Sequence, residues 1–214
     1  AFMDGSLKML AGTIYDLFAI LADQRNSKPQ LKWNIFNVAR LRGLRPNRIG
    51  KARRNVAHHY DLSQQLFELF LDDDLQYSCA YFDHPGMSLS DAQHAKKRHI
   101  AAKLQIAPGM KVLDIGCGWG SLALDIAKSA NCEVTGITLS ENQFKYCNKK
   151  AMDLNLENQV KFRLIDYREL NEKFDRIVSV GMFEHVGRKF YKKFFKQVEK
   201  LLKDDGVSLI HTIG

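Results

Sequence analysis

Three glycines at alternate positions, Gly116, Gly118 and Gly120, follow Asp114 near the middle of the chain. Glycine lets a backbone approach a ligand closely, and the free N–H groups at the start of a helix can bind it. The spacing differs from the dinucleotide fingerprint, and residues 136–138 lack the acidic residue that would hold an NAD ribose. A Gly-Lys-Ser/Thr phosphate loop is also absent. The loop therefore predicts a nucleotide-like ligand other than NAD or a nucleoside triphosphate.

Asp114 lies inside the apolar run that precedes this loop, which places a carboxylate beside the ligand. A carboxylate suits a positively charged cofactor better than a pyrophosphate. S-adenosylmethionine carries a sulfonium and an ammonium group and fits this requirement. Asp114 could equally order the loop by accepting backbone N–H bonds, and both roles are compatible.

Asp166 and Tyr167 follow a later apolar run and are expected at the carboxyl edge of the sheet, where ligands of such folds bind. Asp166 can accept a hydrogen bond from an adenine amino group, and Tyr167 can stack on the ring. The alternative is a structural turn, in which Asp is common.

The elements that must position these residues alternate from residue 111 onward. Short β-rich runs are followed by helical stretches, and this order predicts an α/β fold with a parallel sheet and right-handed crossovers. The expected strands are 111–116, 133–137, 160–165, 174–180 and 207–213, and the expected helices are 119–130, 140–154 and 189–203.

The part of the chain before about residue 105 is expected to be helical. Apolar residues recur at helical spacing over residues 6–23, and the pattern continues to Pro46. Ser63 is a candidate cap for a short helix, and either Ser88 or Ser90 for one that runs to Leu104. We therefore predict a helical region at 1–105 and a ligand-binding domain at 106–214. Because the chain ends on a strand, we expect the natural protein to continue.

The charge of the chain is concentrated in one segment. Residues 24–60 contain ten Lys and Arg and no Asp or Glu, so this segment carries +10 while the whole chain carries +8. Such a segment favours an anionic partner, either nucleic acid or an acidic membrane surface, although it could be a solvated basic face. The four cysteines show no CxxC spacing, and the adjacent His58 and His59 lack further ligands, so we predict a cytoplasmic protein without a metal site.

Several longer motifs resemble the cyclopropane fatty acid synthase family nearly residue for residue. Beside the glycine loop they are residues 75–82, 136–143, 166–170, 174–187 and 211–214. The resemblance implies a class I methyltransferase (Rossmann-like) domain with helices on both faces of the sheet. It implies an enzyme that converts cis double bonds of phospholipid acyl chains into cyclopropanes, with the extra carbon from S-adenosylmethionine.

The resemblance also assigns roles to individual residues. The glycine loop, Tyr77, Ser78, Thr138 and Gln143 would hold the cofactor, and the last two would replace the missing ribose-binding acid. A bicarbonate ion is implied as the base that removes a proton from the added methyl group during ring closure. Its implied ligands are Cys79, Glu184, His211, the backbone of Ile213 and a tyrosine from a later part of the chain.

Each bicarbonate ligand has a structural alternative when it is taken alone. Cys79 could be a small buried filler, Glu184 a helix cap and His211 a satisfied core histidine. Only their joint occurrence in family motifs favours the catalytic interpretation.

The expected partners are a membrane phospholipid substrate, an anionic membrane surface bound through residues 24–60, and a second copy of the chain in a homodimer. The expected location is cytoplasmic, at the membrane periphery. No nucleic-acid partner is expected, because the sequence shows no nucleic-acid-binding module and residues 181–187 resemble lipid enzymes. The alternatives are a relative that stops at a methyl branch, an inactive fragment that binds membranes or dimerises, and, against these observations, a nucleic-acid methyltransferase.

Overall fold

The structure is a computed structural model that describes residues 64–213 and, before them, Gly12, Thr13, Tyr15, Asp16 and Ala19. Tyr15, Asp16 and Ala19 are helical, while the rest of the helix expected at 6–23 and the basic segment at 24–60 lie outside the described residues. The chain divides into two units, Ala1–Arg45 and Pro46–Gly214, and everything from residue 64 on belongs to the second. The division expected at residue 105 stays a prediction.

Five strands form a single parallel sheet in the order β3-β2-β1-β4-β5. The strands are β1 Lys111–Ile115, β2 Glu133–Thr138, β3 Val160–Leu164, β4 Phe174–Val180 and β5 Leu202–His211. The order reverses direction at β1, the central strand, and ligands of open α/β sheets bind beside such a strand at its carboxyl end. The predicted α/β fold is confirmed.

Between residues 64 and 213, five α-helices lie before and between the strands. They are α1 Gln64–Glu68, α2 Leu89–Leu104, α3 Ser121–Ala130, α4 Glu141–Asp153 and α5 Tyr191–Leu201. The structure decides between the two candidate caps of α2, because the Ser88 hydroxyl accepts a hydrogen bond from the Asp91 amide. Helix α1 contains Phe67 as expected, and Phe70 follows its end. No helix in the described part of the chain is long and apolar enough to cross a membrane.

The core has two layers because neighbouring residues of β1 point to opposite faces of the sheet. Val112 packs with Leu104 of α2 and with α3 and α4 on one face. Leu113 packs with Phe194 and Val198 of α5 on the other. The helices on both faces hold the sheet, so the positions at its carboxyl edge are set by a packed scaffold.

The end of the chain differs from the expectation. Strand β5 begins at Leu202 instead of residue 207, and helix α5 ends at Leu201 instead of residue 203. The reason is a register shift, in which Phe174 of β4 already pairs with Leu202 and the regular pairing resumes between Arg176 and Val207. His211 still reaches the carboxyl end of β4, where it pairs with Val180.

Candidate functional site at the carboxyl edge of the sheet

The carboxyl edge of the sheet brings most of the predicted site residues to one side of the molecule. Each of the five strands ends next to at least one of them, since parallel strands all end at the same edge. In strand order these residues are Asp166 and Tyr167, then Thr138, then Asp114 and the glycine loop, then Glu184, then His211 and Ile213.

The three glycines of the loop have positive φ angles but face different surroundings. A Cβ at Gly116 would lie 2.8 Å from Met182 Cγ, and one at Gly120 would lie 2.8 Å from both Cys147 Sγ and Phe162 Cζ. Among the described residues, and apart from its two chain neighbours, no atom lies within 4 Å of the position that a Cβ of Gly118 would take, and φ there is +56°. Gly116 and Gly120 therefore permit close packing of the protein itself, whereas Gly118 leaves open space beside the loop.

Asp114 is a buried carboxyl group at the end of β1. Burial raises its pKa to about 7, and the nearby Lys96 ammonium opposes the rise. Among the described residues no backbone N–H donates to its carboxylate, so the structure gives no support to a loop-ordering role. A positively charged ligand would stabilise the ionised form, because its charge would compensate for the solvation by water that the buried carboxylate has lost.

Thr138 and Gln143 form a buried polar pair next to the loop. Thr138 Oγ1 donates to Gln143 Oε1 at 2.8 Å, and the Ser140 amide donates to Thr138 Oγ1. Ser140 caps α4, so this turn is fixed at the helix start. Because the Gln143 oxygen is engaged, its amide N–H groups are the part that can donate to ribose hydroxyls.

Asp166 and Tyr167 lie at the end of β3, where the carboxylate already has a protein partner. Asp166 accepts two hydrogen bonds from the Arg168 guanidinium, at 2.8 and 2.6 Å, and caps the short 3₁₀ helix Tyr167–Glu169. The Tyr167 ring packs edge-on against Phe194 at 5.3 Å. The turn-forming role of Asp166 is therefore present, and its role toward adenine stays a prediction.

Tyr77 and Ser78 belong to residues 76–78, here called the 76–78 segment, which approaches the same edge. Ser78 and the carbonyl of Tyr77 lie 3.6–3.9 Å from the position that a Cβ of Gly181, at the end of β4, would take. The Tyr77 ring is half exposed and contacts Phe67 and Phe70. Gln76 is hydrogen-bonded to Ser121 at the start of α3, directly after the glycine loop.

Helix α2 holds the 76–78 segment through side chains that sequence reasoning missed. Gln93 donates to the carbonyls of Gln76 and Ser78, and Lys96 Nζ lies 2.6 Å from Ser78 Oγ. Both residues are almost fully buried. The sequence did contain one indication, because Gln93 lies at helical spacing from Ile100 and Leu104 and so on the same face of the helix. Polar residues on such a face do not by themselves predict burial.

Glu184, His211 and Ile213 come together at the ends of β4 and β5. The Ile213 amide donates to Glu184 Oε1 at 3.1 Å, and the Gly181 amide donates to the His211 carbonyl at 3.0 Å. Glu184 Oε2 and His211 Nδ1 are buried and have no hydrogen-bond partner in the part of the chain that the structure describes. A buried polar atom without a partner is costly, so this pair fits a small ligand that both donates and accepts.

The structural alternatives for these residues find no support. Glu184 bonds the Ile213 amide and caps no helix among residues 64–213, and His211 is not satisfied. Cys79 is exposed and so is not a buried filler. The backbone of Ile213 was expected to bind the anion, and its N–H group donates to Glu184 here. No hydrogen bond or ion pair among the described residues links Cys79 to Glu184.

The side chains of Asp74, His94 and Asp125 lie close enough together to bind a metal ion. Lys97 is paired with both carboxylates, at 2.6 Å for Asp125. The ammonium group supplies the positive charge that the cluster requires, so we assign it a structural role.

Comparison with known proteins relates the chain to one family. Residues 47–214 match the family described as mycolic acid cyclopropane synthetase. The chain is 50% identical over 156 residues to the cyclopropane-fatty-acyl-phospholipid synthase of Escherichia coli K12, which covers 73% of this chain and 40% of that protein.

Two solved structures of similar proteins share the fold. The cyclopropane synthase MmaA2 from Mycobacterium tuberculosis has a TM-score of 0.73 at 40% identity and covers 79% of this chain and 57% of that one. The mycolic acid cyclopropane synthase CmaA1, complexed with SAH and CTAB, has a TM-score of 0.72 at 40% identity and covers 78% and 57%. The chain thus spans about half the length of the relatives it matches.

The parallel sheet, its strand order and its glycine-loop edge define the fold of the S-adenosylmethionine-dependent methyltransferases. Within that class, the chain belongs to the mycolic acid cyclopropane synthetase family. The resemblance predicted from its motifs is confirmed.

Proposed function

We propose that this chain supplies the cofactor-binding half of an enzyme that transfers a methylene group from S-adenosylmethionine to the cis double bond of a phospholipid acyl chain. One structural observation carries the proposal: Glu184 Oε2 and His211 Nδ1 are buried at the carboxyl edge of the sheet and have no hydrogen-bond partner among the described residues. Similarity to the E. coli cyclopropane-fatty-acyl-phospholipid synthase supports this reaction type.

The residues at the edge fit S-adenosylmethionine. The space beside Gly118 admits the ligand next to the backbone, and the buried Asp114 supplies negative charge for a cation. The amide of Gln143 and the hydroxyl of Ser78 supply hydrogen bonds. SAH, which is S-adenosylmethionine after loss of its methyl group, is bound in the similar structure of CmaA1. When bound, S-adenosylmethionine supplies an electrophilic methyl group on a good leaving group.

Glu184 and His211 fit a bicarbonate ion as the second ligand of the site. Glu184 Oε2 would accept the O–H of bicarbonate, and the His211 ring would donate to one of its other oxygens. When bound there, bicarbonate would supply a base for the proton that leaves the added methyl group. The hydrogen bond from the Ile213 amide holds the Glu184 side chain so that Oε2 stays oriented toward this position.

Lipid analysis tests the proposed reaction. We expect cells that express the complete gene to accumulate phospholipid acyl chains that have gained the mass of one methylene and lost one unsaturation. Mass spectrometry combined with a chemical test for double bonds measures both changes. A gain in mass with a methyl branch and no ring would favour the branching relative, and unchanged lipids would contradict the proposal.

The raised pKa of Asp114 gives a testable pH dependence. Because the cationic cofactor favours the carboxylate, binding below pH 7 must release the proton of Asp114, and affinity should fall by up to about tenfold per pH unit below the pKa. Calorimetry from about pH 6 to about pH 8 measures this slope. In Asp114→Asn the affinity should be lower and the slope smaller. Titration of S-adenosylmethionine itself changes the affinity of both proteins in the same way. Equal slopes would therefore contradict the role of Asp114 in cofactor binding.

The basic segment at 24–60 is proposed to bring the enzyme to an anionic membrane surface, where its substrate lies. Each Lys or Arg near such a surface contributes about 1 kcal/mol, and salt screens the attraction. We expect co-sedimentation with vesicles of anionic phospholipid that weakens as salt rises, and weaker binding after replacement of Arg40, Arg42, Arg45 and Arg48 by Gln. Equal binding by this variant would identify a solvated face, and preferential binding to RNA would favour a nucleic-acid partner.

A further inference from the structure

Helix α2 carries an unusual buried stripe of polar side chains. Gln93, Lys96 and Lys97 are each no more than 4% exposed, and at helical spacing they continue the line of Ile100 and Leu104 in the core. A buried ammonium group is costly unless partners surround it. Lys97 has two carboxylate partners. Lys96 has no ion pair of this kind among residues 64–213, and its nearest partner is the neutral hydroxyl of Ser78.

The contact between Lys96 and Ser78 fixes the direction of the Ser78 hydroxyl. An ammonium group can donate hydrogen bonds but cannot accept them. At a separation of 2.6 Å, Ser78 Oγ is therefore the acceptor, and its own hydrogen must point away from Lys96. Ser78 Cβ lies 3.6 Å from the position that a Cβ of Gly181 would take, at the end of β4 and so at the carboxyl edge of the sheet. The Ser78 hydroxyl is thus prepared to donate to an oxygen of a ligand at this edge.

Gln93 contacts the backbone of the same segment. Its amide donates to the carbonyls of Gln76 at 3.2 Å and Ser78 at 3.0 Å. The 76–78 segment is therefore held at three points by α2. Lys96 is also close enough to the Asp72 and Asp114 carboxylates to attract them, so its charge is offset where a cationic ligand would bind.

We propose that Lys96 is a positioning residue of the cofactor site, which orients the Ser78 hydroxyl as a donor and, with Gln93, holds the 76–78 segment over the carboxyl edge. The inference rests on the proposed function only for the identity of the ligand. The placement of the segment by α2 is independent of that identity.

The first arm of the test needs no ligand. Amide hydrogen exchange is measured on the peptide that contains the 76–78 segment in the unmodified full chain, in Lys96→Met and in Lys103→Met. Lys103 lies on the same helix but is exposed, so it is the matched control. We expect exchange to become at least about fivefold faster in Lys96→Met and to stay unchanged in the control. Unchanged exchange in both variants would overturn the proposal.

The second arm separates orientation of Ser78 from general loss of structure. Lys96→Met should weaken S-adenosylmethionine binding about tenfold in the unmodified chain and less than about twofold in Ser78→Ala, since the interaction is then already absent. If the losses of binding free energy from Lys96→Met and Ser78→Ala are additive in the double variant, Lys96 does not orient Ser78. Lys96→Leu provides a second variant if Lys96→Met does not fold. Its side chain cannot donate to Ser78, so affinity should fall similarly, whereas unchanged affinity would contradict the proposal.

The two arms distinguish the inference from the proposed function. If the unmodified chain binds no S-adenosylmethionine, the proposed cofactor is wrong, and the exchange arm still decides whether Lys96 holds the segment. If the unmodified chain binds and Lys96→Met leaves binding and exchange unchanged, the proposed function stands and the role of Lys96 is wrong.

Discussion

Gly118→Val is expected to weaken S-adenosylmethionine binding by at least about a hundredfold, or roughly 2.7 kcal/mol, while the protein still folds. The reason is that a Cβ at this position meets no atom of the described residues beyond its chain neighbours within 4 Å, so the side chain would occupy the space beside the loop. The positive φ angle adds a backbone cost of about 1–2 kcal/mol to folding. Calorimetry measures the affinity, and urea denaturation measures the stability.

Gly109→Val is the matched control for this prediction. Gly109 also has a positive φ angle and open space around it, but it precedes β1 at the opposite edge of the sheet. It should lose similar stability and keep its affinity. Gly120→Ala should instead destabilise the fold strongly, because its Cβ would overlap Cys147 and Phe162. Equal cofactor affinity in Gly118→Val and the unmodified chain would place the ligand elsewhere.

Glu184→Gln is expected to slow turnover by roughly a hundredfold or more and to leave cofactor affinity nearly unchanged. The amide oxygen of glutamine can still accept the hydrogen bond from the Ile213 amide, so the local structure should be kept. The other position, now an NH₂ group, can no longer accept the O–H of bicarbonate. Turnover and S-adenosylmethionine binding are measured on the protein expressed from its complete gene.

Removal of bicarbonate from the buffer supplies the second half of this experiment. The unmodified enzyme should slow down and recover when bicarbonate is restored, while Glu184→Gln should respond little to either change. Glu133→Gln is the matched control, because Glu133 is an exposed carboxylate at the amino edge of the sheet. This variant should behave like the unmodified enzyme. If Glu184→Gln turns over normally with and without bicarbonate, bicarbonate has no part in the mechanism.

The sequence was sufficient to predict the fold and to expect most of the candidate site residues at one edge of the sheet. Strand and helix patterns alternate clearly after residue 111, and parallel topology then brings all strand ends to one edge without further information. The glycine loop, Thr138 and Glu184 could therefore be grouped before their distances were known. Family motifs added individual roles, which strand patterns alone cannot supply.

Other features could not be predicted because they depend on tertiary partners. Lys96 and Gln93 are residue types that are usually found on the exposed face of a helix. Their burial is possible because the carbonyls and the hydroxyl of the 76–78 segment accept their hydrogen bonds. Strand β5 begins early because it pairs with Phe174, although Asp204, Asp205 and Gly206 have the composition of a turn. The bond between Ile213 and Glu184 joins residues 29 positions apart and leaves no local signal.

The unequal surroundings of the three loop glycines have a consequence for how this protein can diverge. Gly116 and Gly120 are demanded by folding, because Met182, Cys147 and Phe162 fill the space where their side chains would lie. A descendant that had lost its reaction would still have to keep both. Gly118 is under no such demand, and asparagine, which tolerates its backbone angles, could replace it at small cost to the fold. Of the three glycines, Gly118 is therefore the one whose replacement in a descendant would indicate that the cofactor site is no longer used.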